Sequence, residues 1–436
     1  MNQTSRRSIF SQMMRAKFLT TAIATTALIA YTGSSVKAAL EDSPKTLVDE
    51  VWQIVHSEFV DRQFNHVDWL EQRQELLKQN YTDNKAAYTA IRESLKTLGD
   101  PYTRFLDPEE FAELTSQTSG ELSGIGIRLG LDQKTSELTV VEPITNSPAD
   151  KAGIKAGDRI LAIDGKPTSL MSLEQASAEI KGEVGTEIKL KISRLNKETF
   201  DLTLVREQIE LPSVDYSLSE AGQTKVGYIK LDEFSSHAAE QMEKAIEDLN
   251  QKQVTGFVLD LRGNPGGLLF SSVEIARMWL KEGAIVSTID RKGGNQKFSA
   301  NGKSLTDLPL VILVDRYSAS ASEILAGALK ENGRATIVGT RTYGKGTVQS
   351  VHSLSDGSGL AVTIARYYPP SGADINHKGI APDVSVDLTA EQQMSFSVNP
   401  NLWGTEADPQ YAKAIQILQQ GVATKNPTSL PNLTIR

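Results

Sequence analysis

The stretch from Leu308 to Val314 is almost continuously apolar and runs into Asp315-Arg316-Tyr317-Ser318-Ala319-Ser320-Ala321-Ser322. A strand without polar alternation has no face to offer water, so it belongs inside a sheet covered on both sides. The neighbouring segments agree. Val226 to Leu231 and Val254 to Leu261 read as strands, and Ala239, Met242, Ile246 and Leu249 line one face of a helix between them. Val273 to Leu280 is helical, and a helix from Ser320 to Leu329 precedes a strand from Ala335 to Gly339. Strands separated by helices predict a layered α/β core over residues 208–390.

What flanks this core is of a different kind. Arg6, Arg7, Arg15 and Lys17 lead the chain, and an uncharged stretch follows from Phe18 to Ala30. As a helix it would rise about 20 Å, short of the roughly 30 Å of a bilayer core. With Val36-Lys37-Ala38-Ala39 behind it, the order of regions predicts an export signal over residues 1–38, the alternative being an uncleaved anchor. Ser5-Arg6-Arg7-Ser8-Ile9-Phe10 resembles a twin-arginine export sequence. Residues 39–115 read as a helical lead domain. Leu47, Val48, Val51, Trp52, Val55 and Phe59 make one apolar face, and Tyr88, Ile91, Leu95 and Leu98 another that Gly99-Asp100-Pro101 stops. Phe105 to Phe111 predicts a short helix with proline near its start. Nothing there suggests chemistry, and His66 and Trp69 are expected to be packing residues. Residues 391–436 predict a C-terminal helical tail, with Ala412, Ala414, Ile415, Ile417 and Leu418 on the helix.

Residues 116–207 carry β patterns around one clear helix. Leu138 to Val141 is a strand, and Ile163-Asp164-Gly165 predicts a hairpin turn. Ser172 followed by Gln175 predicts a capping box for a helix through Ile180. Ile188, Leu190 and Ile192 alternate, as do Phe200, Leu202 and Leu204. The run Ser147-Pro148-Ala149 to Ala152-Gly153-Ile154-Lys155-Ala156-Gly157-Asp158 makes this block resemble a PDZ domain. The resemblance implies that Gly124, Ile125, Gly126 and Ile127 form the loop whose N–H groups take a peptide's terminal carboxylate, the peptide lying as an added strand beside the helix.

Several kinds of chemistry are absent from the residues. There is no cysteine, which excludes disulfides and thiolate catalysis. The formal charge is −8, and the basic leader makes the remainder more acidic still, which argues against nucleic acid. His56, His66, His237, His352 and His377 are widely separated and form no metal-ligand motif. No Gly-x-Ser-x-Gly elbow occurs, which disfavours an ordinary α/β-hydrolase. Serine and lysine remain. Ser320 falls where a buried strand turns into a helix, with free backbone donors nearby. Lys345 stands between Gly344 and Gly346, and Tyr343 with the apolar residues of that turn is expected to dry its amine. Lysine's ordinary pKa is about 10.4, so base function requires burial away from carboxylates. The alternative is a serine-rich helix cap and a solvent-facing lysine. Composition does not rank Ser318, Ser320 and Ser322.

Ser318 to Ile324 and Thr342 to Gln349 resemble the two signature blocks of the carboxyl-terminal processing peptidases, tail-specific serine endopeptidases, and the resemblance spans residues 40–390. It implies a layered α/β (crotonase/ClpP-like) serine protease core with an inserted PDZ domain and an N-terminal helical domain. Carried over, it puts the nucleophile at Ser320, the general base at Lys345, and at Gln349 a third member holding the lysine head. It puts the oxyanion hole at the N–H groups of Ala321 and Gly266, with Gly267 as an alternative. Glu323 falls on a structural or orienting position, and Asp260, Arg262 and Asn264 on a loop-holding one. No metal or organic cofactor is implied. The partner is a protein substrate with a free C-terminal tail, with the PDZ domain gating the site. A homo-oligomer is a further expectation.

Phe59 to Trp69 resembles the cyanobacterial and chloroplast branch, which includes a peptidase that trims the precursor of the photosystem II D1 protein. The expected location is thylakoid lumen or periplasm. Rival readings are a non-catalytic PDZ scaffold, which would bind tails without turnover, and another serine acyl hydrolase, which would cleave small esters and spare peptides.

Overall fold

The computed structural model describes residues 43–132, 135–194, 199–221 and 224–425. The expected export signal lies outside them. Among the described residues no helix is long and apolar enough to cross a membrane.

The centre of the molecule is a six-stranded sheet in the order Val214–Ala221, Thr224–Leu231, Gly256–Asp260, Leu310–Val314, Ala335–Gly339, Val384–Ser385. The first two strands form an antiparallel hairpin and every later neighbour is parallel. All five residues of Leu310–Val314 are buried. Leu310, Ile312 and Val314 pack with residues of the helices Ala238–Gln251, Leu269–Trp279 and Ala321–Glu331. Val311 and Leu313 point the other way, onto Tyr411, Ala414, Ile415 and Leu418 of the helix Pro409–Lys425. Both faces being covered is why this strand shows no period. Each large apolar side chain so buried is worth about 1.5–3 kcal/mol.

A second sheet is centred on Gly359–Tyr368. Thr347–Ser353 pairs along one edge of that strand, while Arg104–Leu106 and Ala284–Asp290 share the other. The sequence reading missed this sheet. Thr347–Ser353 is half exposed and carries serine, threonine and histidine, so its β character depends on partners distant in the chain. The helices Pro44–Glu58 and Asn84–Lys96 pack against it, and Leu47, Val51, Ile91 and Leu98 share one apolar cluster with Leu354, Leu360 and Val362. Trp69 is buried, but His66 is exposed and in left-handed backbone, which corrects its expected packing role. The helix expected near Phe105 begins at Pro108, capped by Asp107, and continues to Ser119; Arg104–Leu106 is a strand instead.

A third sheet has the order Ile127–Leu131, Leu138–Pro143, Arg159–Ile163, Glu187–Ser193, Phe200–Val205, with the helix Leu173–Ile180 beside it. The Ser172–Gln175 capping box is present. Asp164 and Gly165, both at positive φ, close the hairpin between Ile163 and Lys166. A two-stranded ribbon, Glu121–Gly124 against Glu207–Glu210, joins this module to the rest. Its base is tied to the core by Ser236 N–H donating to Thr118 O and by His237 Nε2 against Glu121 Oε1 at 2.8 Å.

Candidate active site

Ser320 lies between the strand Leu310–Val314 and the helix Ala321–Glu331, with φ 53° and ψ −114°. A non-glycine residue at positive φ costs about 1–3 kcal/mol and persists where its surroundings over-determine it. Here Ser320 N donates to Glu323 Oε2 at 2.9 Å, and Tyr367 Oη donates to Ser320 O at 3.1 Å. The Tyr367 hydroxyl is pushed well above its ordinary pKa, chiefly by burial. The structure separates the three serines. Ser318 Oγ donates to Leu261 O at 2.8 Å and Ser322 Oγ to Asn264 O at 3.0 Å, and both residues are fully buried. Ser320 is half-buried and lines a cavity of about 450 Å³.

Lys345 lines the same cavity. Glu323, fully buried, ties its loop to the Ser320 turn. One carboxylate oxygen accepts from Thr342 Oγ1 and Gly344 N, both at 2.6 Å; the other accepts from Lys345 N and Ser320 N, both at 2.9 Å. Burial raises the Glu323 pKa, and these four donors oppose the rise. The carboxylate therefore orients main chain and makes no ion pair with the lysine amine. Burial depresses the Lys345 pKa, the nearby Arg104 charge adds to this, and Asp100 and Glu323 work against it. The amine lies 4.7 Å from the Tyr102 ring centre, a contact that favours the charged form. Loss of hydration outweighs it, and the net direction is down. No hydrogen bond joins Lys345 Nζ to Ser320 Oγ among the described residues.

Tyr102 and Arg104 come from the lead region, in which the sequence showed no sign of chemistry. Pro-Tyr-Thr-Arg after a helix stop reads as an ordinary turn. Tyr343, expected to dry the lysine, is 56% exposed, and Tyr102 takes that place. Gln349 also departs from expectation. It lines the cavity, but its Nε2 donates to Thr347 Oγ1 at 3.0 Å and Thr363 Oγ1 at 3.2 Å, not to a partner on the lysine.

The glycine loop 263–267 abuts the Ser320 turn so closely that a Cβ on Gly266 would lie 2.8 Å from both Ala319 O and Ser320 Cβ. Gly266 N donates to Asn264 Oδ1 at 2.8 Å, so this N–H is already taken. The N–H groups of Gly267 and Ala321 have no acceptor among the described residues. Asn264, fully buried, also donates from Nδ2 to Leu231 O at 2.8 Å. Arg262 is paired with Asp260 at 2.5 Å and Asp408 at 2.7 Å, donates to Gln410 at 2.8 Å, and has Trp403 stacked at 4.3 Å. This buried assembly fixes the root of the glycine loop. Asp408, Gln410 and Trp403 come from residues 391–436, where the sequence reading saw only a helical tail. Among the described residues no histidine, aspartate or glutamate group could hold a metal.

The loop Gly124, Ile125, Gly126 and Ile127 leads into an edge strand of the third sheet. The N–H groups of Ile125 and Gly126 have no acceptor among the described residues. Gly126 has φ 75°, and a Cβ there would collide with Ser147.

Comparisons with known proteins agree with this architecture. The family model of peptidase family S41 matches residues 225–386, and a PDZ domain model matches residues 139–194. The carboxyl-terminal-processing protease of a Synechocystis species is 41% identical over 402 residues, covering 92% of each chain. A chloroplastic carboxyl-terminal-processing peptidase of Arabidopsis thaliana is 39% identical, covering 81% of this chain and 72% of its own. Among solved structures, a photosystem II D1 C-terminal processing protease is 36% identical with a TM-score of 0.53, covering 85% of this chain and 99% of its own. The chain belongs to the carboxyl-terminal-processing proteases of peptidase family S41, a serine protease family, and is a peptidase.

Proposed function

We propose that the chain is an exported endopeptidase that captures the free C-terminus of a protein and removes its tail by acyl-enzyme chemistry. The observation that carries the reading is one cavity holding Ser320, a lysine amine made less basic by burial, and two N–H donors without an acceptor among the described residues. Neutral Lys345 swings from the Tyr102 ring to Ser320 and takes the Oγ proton as Oγ attacks the scissile carbonyl carbon. The N–H groups of Ala321 and Gly267 receive the developing oxyanion, each worth roughly 3 kcal/mol in the transition state. Lys345 then gives its proton to the leaving amine, and water hydrolyses the ester. Gln349 orients the loop strand beside the lysine. The loop Gly124 to Ile127 takes the terminal carboxylate, and the tail adds as a strand to Ile127–Leu131. The D1 precursor is the proposed substrate, and the thylakoid lumen or periplasm the compartment.

The test is mass spectrometry of a D1-like precursor with its natural C-terminus, incubated with wild-type enzyme, Ser320→Ala and Lys345→Ala. A defined tail released by wild type alone is the expected result. Cleavage that persists in Ser320→Ala would overturn the site. Tail binding without turnover by wild type would favour a scaffold.

A further inference from the structure

Glu233 lines the cavity that holds Ser320 and Lys345, and it is the one acidic residue on the cavity wall among the described residues. It follows the strand Thr224–Leu231 and precedes Phe234, whose backbone is clamped to the glycine loop. Phe234 N donates to Gly266 O at 2.8 Å, and Leu268 N donates to Phe234 O at 2.7 Å. Glu233 is thereby carried at a fixed place beside the Ser320 turn. It is half-buried and makes no hydrogen bond or ion pair among the described residues. Pro101, Leu114, Leu268 and Leu269 are among the apolar residues that line the same cavity. Burial alone pushes its carboxyl above the ordinary value. A partly dehydrated carboxylate without a partner is costly, and a cation arriving in the same cavity recovers that cost. Glu323 shows the contrast, since its oxygens already have four donors. Arg104 shares the cavity wall but makes no ion pair with Glu233 among the described residues.

We infer that Glu233 is a specificity-determining residue, whose carboxylate receives a lysine or arginine side chain of the substrate at one position flanking the scissile bond. The inference rests on the peptidase reading of this cavity. It implies that tails acidic at that position are poor substrates, because their charge would meet Glu233 at low hydration.

The experiment is a set of tailed substrates bearing lysine, glutamine or glutamate at each position flanking the cut. kcat/KM is measured with the full chain as wild type, Glu233→Gln and Glu233→Lys. Affinity for the same tails is measured by fluorescence anisotropy on the Ser320→Ala protein, with and without Glu233→Gln. At one position wild type should prefer lysine over glutamate by roughly tenfold or more. Glu233→Gln should reduce that ratio to within about threefold, and Glu233→Lys should reverse it. A preference unchanged in Glu233→Gln, or no position with a charge preference in either rate or affinity, overturns the inference. Failure of wild type to cleave glutamine-bearing tails counts against the peptidase reading. In that case the affinity ratios on the Ser320→Ala background still decide the role of Glu233.

Discussion

The Ser320 cavity and the open edge of the PDZ domain both present backbone donors, but they hold them differently. Around Ser320 the donors are set by buried side chains: Glu323 fixes the serine turn and the lysine loop, Asn264 fixes the glycine loop, and the Arg262 assembly fixes its root. At the PDZ edge, among the described residues, Ile127–Leu131 has a strand on one side only, and the loop before it is held through its carbonyls, Ile125 O accepting from Ala149 N and Gly126 O from Ile144 N and Ser147 Oγ. Bond cleavage gains from donors that need no rearrangement in the transition state. Capture of a tail gains from an edge left free to pair. Damage to the first region should therefore appear in kcat, and damage to the second in KM.

The most severe test of that contrast is Glu323→Gln. The amide keeps one acceptor oxygen and turns an NH₂ group toward two N–H donors. We expect kcat/KM to fall roughly 10²-fold or more, because small misplacements of reacting groups cost about that much. Thermal unfolding should report a loss of about 2–5 kcal/mol, the cost of donors left buried and unpaired. Unchanged kinetics would mean that the four hydrogen bonds do not set the site.

Asp408→Asn comes next. It removes one of two carboxylates from the buried Arg262, and about 3 kcal/mol of stability should go with it. Because the glycine loop is rooted there, kcat should fall about tenfold at nearly unchanged KM. A rise in KM alone would break the proposed division between the regions.

Amidating the substrate's C-terminus tests the other side. It removes the charge offered to the Ile125 and Gly126 donors, so KM should rise roughly tenfold while kcat holds. Equal loss in kcat would show that capture and chemistry are coupled, as a gate would require.

The smallest effect sharpens the electrostatics. As the proposed base, Lys345 must be neutral to accept a proton, so the rate is expected to rise with pH through the lysine's pKa. Removing the Arg104 charge in Arg104→Gln takes away a repulsion that disfavours the ammonium, and the pKa moves up. The ascending limb of the kcat/KM profile should move to higher pH, with little change on the plateau. A shift to lower pH would contradict the sign.

Much of this was legible in the sequence because it rests on local chemistry. An unbroken apolar run could only be a strand covered on both faces, and Leu310–Val314 is one. Asp164-Gly165 suits left-handed backbone, and Ser172 with Gln175 caps a helix without help from the rest of the chain. The blocks around Ser320 and Lys345 stood out because serine, lysine and glycine recur there at family spacing. Tertiary structure alone decided which groups meet. Ser318 and Ser322 are turned to loop carbonyls while Ser320 faces a cavity, a distinction set by packing against residues 261–264. Tyr102 and Arg104 reach the lysine because Arg104–Leu106 pairs with a strand more than 250 residues later. Asp408 reaches Arg262 from 146 residues further along the chain, and Gln349 turns to threonine hydroxyls. A local pattern fixes conformation within a turn or two of chain, whereas burial, and with it the basicity of Lys345 and the lack of a Glu233 partner among the described residues, depends on what the rest of the chain brings alongside.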